Sequence, residues 1–242
     1  MKLVLTGFDP FGPHERNPSG ETIAALTAET QVRPWRVIDT LLLSTCYEAG
    51  ASPVLDRLSR TADADCYVML GLGGRSHPVR LERFALNVMD SAIPDNAAVL
   101  RNGERIRADG PTARETALDL VPLRNRIRTR GFECVISNHA GTYVCNDLYY
   151  RVLDHIARRR LDAQALFVHI PETYDPVENG ESMRPATTRD HVDRLKVILD
   201  GLAEGLGGVG SAPSDQAAGR IVSSPSLGPA ETQHEASERG SS

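Results

Sequence analysis

Cys145 and His169 are the residues of this 242-residue chain whose types and settings best suit covalent chemistry. Cys145 lies in Ala140-Gly141-Thr142-Tyr143-Val144-Cys145-Asn146, where a strand gives way to a helix. In the first turn of a helix, unpaired N–H groups and the positive end of the dipole favour a thiolate. The expectation is therefore a thiol pKa below its free value of about 8.5. His169 falls near the end of the apolar run Ala165-Leu166-Phe167-Val168-His169-Ile170-Pro171, which reads as a buried strand reaching its C-terminal edge. A thiol and an imidazole supplied by successive αβ elements are a nucleophile and a base for acyl transfer.

Both residues also have plainer readings. Cys145 shares a helical stripe with Leu148, Tyr149, Val152 and Ile156, as a small buried hydrophobe would. His169 alone reads as a core histidine satisfied by a backbone carbonyl. His139, at the end of the strand preceding Cys145, competes with it, and residue order does not decide which imidazole reaches the thiol. A third group comes from Leu81-Glu82-Arg83-Phe84-Ala85-Leu86-Asn87-Val88, where alternation over one strand near 81–88 puts Glu82 on a face with Phe84, Leu86 and Val88. A carboxylate on an apolar face needs a partner. An imidazolium would supply one and would have its tautomer fixed in return, while Arg83 or Arg75 would serve a purely structural pair.

The remaining candidates point elsewhere. Cys66 and Cys134 sit inside strand-like runs, and Cys46 has no base near it in sequence. Gly71-Leu72-Gly73-Gly74-Arg75 follows a strand but lacks both the Lys-Ser/Thr of a P-loop and a full GxGxxG, so it reads as a tight turn. The seven histidines form no HExxH and no Cys/His pair at zinc spacing, so no metal is expected.

Positioning these groups requires alternating strands and helices. Strands are expected near 2–6, 36–43, 66–70, 81–88, 132–137 and 164–170, with helices near 19–28, 51–61, 113–129, 142–158 and 187–204 and a hairpin-like stretch at Asn102-Gly103. This is α/β punctuation, predicting a mostly parallel sheet covered on both faces. The last helix carries Val192, Leu195, Ile198, Leu199 and Leu202 as an apolar stripe. The expected division is a catalytic domain over 1–206 and a disordered Gly/Ser/Pro/Ala-rich tail over 207–242, which lacks aromatic residues. A net charge of −5 argues against nucleic acid and anionic membrane as general partners, and Arg158-Arg159-Arg160 reads as a helix-end complement. Four cysteines without scaffold density, a short N-terminal apolar run and no membrane-length segment lead to a cytoplasmic expectation.

Several separated segments, in order, resemble the pyroglutamyl-peptidase I (pyrrolidone-carboxylate peptidase) family of cysteine peptidases over most of residues 1–205. They are Thr6-Gly7-Phe8-Asp9-Pro10-Phe11-Gly12 with Asn17-Pro18-Ser19, Gly73-Gly74-Arg75, Glu82-Arg83 with Ala85 and Asn87, Ile93-Pro94-Asp95-Asn96, the segment around Cys145, and His169-Ile170-Pro171. The resemblance implies a triad of Glu82, Cys145 and His169, favouring His169 over His139, on a phosphorylase/hydrolase-like three-layer α/β/α fold. It implies removal of an N-terminal pyroglutamyl residue from small peptides through a thioester, without metal or cofactor, in a homo-oligomer, commonly a tetramer.

Recognition of a neutral lactam needs apolar walls, for which Phe8, Phe11, Ile93, Tyr143 and Val144 are candidates. Leu72, a further substrate-binding candidate, stands where the family usually has glutamine, Ala92 where it has arginine, and Pro13 where a second glycine is common. With those changes the alternatives are an amidohydrolase for a related lactam or N-acyl amino acid, and a weakly active binding homologue.

Overall fold

The structure, a computed structural model, describes residues 1–28, 32–61, 63–74, 78–174 and 184–207. Lys2–Phe8 (β1) leads to Pro18–Ala28 (α1), Arg36–Leu43 (β2), Ser52–Arg60 (α2), Cys66–Leu72 (β3) and Val79–Glu82 (β4). Phe84–Leu86 (β5), Met89–Asp90 (β6), Asn102–Glu104 (β7) and Ala113–Glu115 (β8) make two antiparallel ribbons, β5 with β8 and β6 with β7. Leu120–Thr129 (α3), Cys134–Ser137 (β9), Val144–Arg159 (α4) and Gln164–Ile170 (β10) follow, then the short pair Thr173–Tyr174 (β11) and Arg184–Pro185 (β12), and finally Thr188–Gly207 (α5).

The main sheet has six strands in the order β2-β1-β3-β10-β4-β9. The first four run parallel, β4 is antiparallel to β10, and β9 is parallel to β4. Side chains alternate across this sheet and build two cores. Cys66, Val68 and Leu70 of β3 join Leu166, Val168 and Ile170 of β10 beneath α1, α3 and α5. Tyr67 and Met69 join Ala165 and Phe167 beneath α2 and α4. The expected stripe of α5 is buried in the first core, and the arrangement is a three-layer α/β/α fold with a mostly parallel sheet.

Two expected elements are redrawn. The strand near 81–88 breaks at Arg83, so β4 stays in the main sheet while β5 leaves to pair with β8. At the break the Arg83 carbonyl accepts from Thr116 N at 3.0 Å; beyond it Asn146 Nδ2 donates to the carbonyls of Leu86 and Val88 at 2.9 Å, and its Oδ1 accepts from Leu86 N at 2.8 Å. Those backbone groups are thereby taken from any continuing ladder. Glu82 accordingly does not share one strand face with Phe84, Leu86 and Val88.

The helix expected near 113–129 begins only at Leu120, after β8, with the Asp119 carboxylate accepting from Val121 N at 3.2 Å as its N-cap. At the other end of the chain α5 runs on through Gly207. The tail reading for 208–242, like Arg75, lies outside the described residues. Among the described residues no helix is long and apolar enough to cross a membrane.

Candidate active site

The reactive end of the molecule is the start of α4. Gly141, at φ +79°, lets the chain turn from β9 into the helix, and a Cβ there would meet no neighbour, so the backbone conformation is what demands glycine. Tyr143 is the N-cap, and no side chain caps the first turn. Cys145 follows as the second helical residue and turns its sulfur toward β3. A Cβ on Gly71 would lie 2.9 Å from Cys145 Sγ, so glycine is what leaves the thiol its space. Gly71 is the register partner of His169, which places the imidazole on the same sheet face as the sulfur.

His169 Nδ1 is 2.7 Å from Glu82 Oε1, and the carboxylate is completely buried. Arg80 Nε approaches the same oxygen at 3.4 Å, while Oε2 has no hydrogen-bond partner among the described residues. Tyr149 Oη donates to the Glu82 carbonyl at 3.0 Å, and the Phe167 ring lies 4.8 Å from that of His169. The pair is therefore held from the backbone, from the ring face and from the carboxylate. Glu82 fixes the proton on Nδ1 and leaves Nε2 as the basic nitrogen.

Burial pushes the Cys145 thiol up to about 12, with the Glu82 charge acting in the same direction. This corrects the expectation of a lowered value. The sulfur does sit in a first helical turn, but desolvation of the anion outweighs the dipole. Burial also lowers the His169 pKa, opposed by its hydrogen bond and charge interaction with Glu82. Both shifts favour a neutral thiol beside a neutral imidazole at rest, so the thiolate forms only as the ring takes the proton.

A cavity of about 350 Å³ opens beside His169, bordered by Leu72, Gly73, Arg80, Ser137, His139 and Gly141. His139 is exposed on its wall, and its Nδ1 accepts from Gly141 N at 3.2 Å. It has a loop amide where His169 has a carboxylate. On the other side of the helix start, Phe11 and Tyr47 lie 6.3 and 5.5 Å from the Tyr143 ring, and Tyr143 Oη donates to the Pro94 carbonyl at 3.0 Å.

The other proposed wall residues are spread out. Phe8 and Val144 are buried in the α2/α4 core, supporting this surface from behind. Ile93 is 47 % exposed on its loop. Leu72 pairs with Ile170, on the sheet face opposite Gly71 and His169, and reaches the cavity only from the strand end.

Three contributors escaped the reading of the chain. Asp9 Oδ1 accepts from Thr45 N at 2.7 Å and from Asn96 Nδ2 at 3.2 Å, joining the loop after β1 to the Ile93-Pro94-Asp95-Asn96 loop. Tyr47 packs edge-on against Tyr143, a long-range contact with no local signature. Arg80 did have a signature: strand alternation puts it on the same face as Glu82, two positions on.

The chain matches the family model described as pyroglutamyl peptidase over residues 1–197. A pyrrolidone-carboxylate peptidase of Bacillus amyloliquefaciens is 32 % identical over 197 residues, covering 81 % of this chain and 89 % of the relative. One from Thermococcus onnurineus is 35 % identical over 171 residues, covering 71 % and 84 %. Among solved structures, pyrrolidone carboxyl peptidase from Fervidobacterium islandicum superposes with a TM-score of 0.74 at 29 % identity, covering 84 % of this chain and 99 % of that one. The chain belongs to the pyroglutamyl peptidase family.

Proposed function

We propose that the protein is a cysteine omega-peptidase that hydrolyses the amide bond after an N-terminal pyroglutamyl residue. The observation that carries this is the His169–Glu82 contact of 2.7 Å on the sheet face against which Cys145 Sγ packs. The names borne by the relatives supply the substrate.

His169 Nε2 takes the thiol proton as Cys145 Sγ adds to the pyroglutamyl carbonyl. Glu82 stabilises the imidazolium that results. N–H groups at the uncapped start of α4 are placed to receive the oxyanion. Collapse of the adduct breaks the C–N bond, with the imidazolium proton going to the departing amine and a thioester remaining on Cys145. Water then gives its proton to His169, adds to the thioester carbonyl and releases pyroglutamate, and the proton returns to the sulfur.

The lactam carries no charge, which suits the Phe11 and Tyr143 wall. A free N-terminal ammonium would lose its hydration there, and this disfavours ordinary peptides. A cytoplasmic setting and a homo-oligomer, tested as a tetramer by light scattering, complete the proposal. Activity is tested with a fluorogenic pyroglutamyl amide. The native protein is expected to release the fluorophore and Cys145→Ala none at all while keeping its circular dichroism; persistent turnover by the Cys145→Ala protein would remove Cys145 as nucleophile.

A further inference from the structure

The cavity beside His169 is bordered by a guanidinium, that of Arg80. Arg80 is the register partner of His169 across β4 and β10, so the two side chains leave the sheet as neighbours on one face. Gly73 shows how close they come: a Cβ there would lie 2.6 Å from Arg80 Nη2 and 2.8 Å from His169 Cβ. Nη2 donates to the Gly73 carbonyl at 3.0 Å, and Nε lies 3.4 Å from Glu82 Oε1. Neither contact uses Nη1. Arg80 keeps 25 % of its side chain exposed and borders the cavity with His139 and Gly141.

The carboxylate nearest Arg80 is already engaged with His169, so the guanidinium retains capacity for a second anion. Hydrolysis places such an anion here. The residue after the scissile bond departs from the side on which His169 delivers its proton, and the cavity that His169 itself borders is the space the geometry offers it. At about 350 Å³ it lies at the lower end of the range for small-ligand sites and has room for one residue.

Building on the function proposed above, we infer that Arg80 is a specificity determinant that recognises the free carboxylate of the leaving amino acid. The favoured substrates are then pyroglutamyl dipeptides with an unblocked C-terminus. A guanidinium–carboxylate contact has the planar, charge-assisted geometry that discriminates an acid from its isosteric amide.

The test compares kcat and KM for pyroglutamyl-alanine and pyroglutamyl-alaninamide with the native protein, Arg80→Gln and Arg80→Lys. The native protein is expected to favour the acid by at least about tenfold in kcat/KM, chiefly through KM. Arg80→Gln should bring that ratio to within about threefold of one, and Arg80→Lys should keep part of it. Any disturbance of Glu82 falls on both substrates and cancels in the ratio.

A native ratio near one overturns the inference, and so does an Arg80→Gln protein that loses both activities in equal proportion. If Arg80→Gln does not fold, the native ratio and the Arg80→Lys ratio decide. Cleavage of the fluorogenic amide without preference for the acid sinks this inference alone. Failure to cleave any pyroglutamyl substrate sinks the peptidase reading, and this one with it.

Discussion

The two faces of the central sheet are made by the same strands, one residue out of step, yet they differ in chemistry. Beneath α1, α3 and α5 the buried side chains are mostly Leu, Ile and Val. Beneath α2 and α4 lie Tyr67, Tyr149, Tyr150 and Phe167, and at the edge of that layer the Cys145 sulfur and the buried Glu82–His169 pair.

Each face also buries a histidine whose pKa is lowered by desolvation, but to different ends. His191, on α5, is taken down to about 4. His169 is held by a carboxylate that opposes the shift, and it shares its sheet face with a thiol. To burial His169 adds an oriented carboxylate and a thiol on the same sheet face, the setting that makes an imidazole a base. Changes on the α2/α4 side should therefore cost rate, and changes on the other side stability.

The largest effect is expected from His169→Ala, a loss of at least about 10⁴-fold in kcat/KM, since nucleophile and base act as a unit. His139→Ala should retain most of the activity, and steady-state kinetics with the two variants exchanging these outcomes would reassign the base.

Glu82→Gln comes next, with a loss of about 10- to 1000-fold. It also has a sign in pH. His169 must be neutral to accept the thiol proton, and its pKa lies below the ordinary value of about 6.5. The native kcat/KM should hold its plateau below that pH and fall as pH drops through the His169 pKa. Because Glu82 raises that pKa, Glu82→Gln should move the acid limb to still lower pH. A limb displaced upward would show that the carboxylate does not act on the ring.

Leu195→Ala, in the aliphatic core, should cost about 2–5 kcal/mol of stability in urea unfolding. Its kcat/KM at 25 °C should be unchanged; a rate loss without destabilisation would break the distinction between the faces.

The smallest effect is expected from Leu72→Gln. Leu72 stands where the family usually has a glutamine, but it pairs with Ile170 on the face turned from Cys145. A change below about threefold in kcat/KM is expected, within the range of a contact not made. A larger gain would mean that the side chain reaches the lactam around the strand end.

Much of this architecture is legible in the chain because it depends on local periodicity. The apolar runs at 36–43 and 164–170 and the stripe of Val192, Leu195, Ile198, Leu199 and Leu202 are patterns of neighbours. The helix start that brings Cys145 to an uncapped first turn is equally local, as is the strand end that carries His169.

Other features depend on residues far apart in the chain. The strand that alternation alone would have continued past Glu82 breaks at Arg83, whose carbonyl accepts from Thr116 N, and Asn146 then takes the backbone groups of Leu86 and Val88. The thiol was expected to be acidic from its place on the helix, and the packing of the α4 layer on the sheet reversed the sign by removing water from the sulfur. Register set the rest: pairing Gly71 with His169 and Arg80 with His169 decides what the imidazole faces, and a slip of one residue would turn those side chains to the other core. By itself the sequence determined which elements form and which reactive side chains they carry, since both are written in short-range pattern. Only the tertiary structure decided which face each side chain occupies, what it touches and how its charge is tuned, because desolvation and pairing are properties of contacts between distant segments.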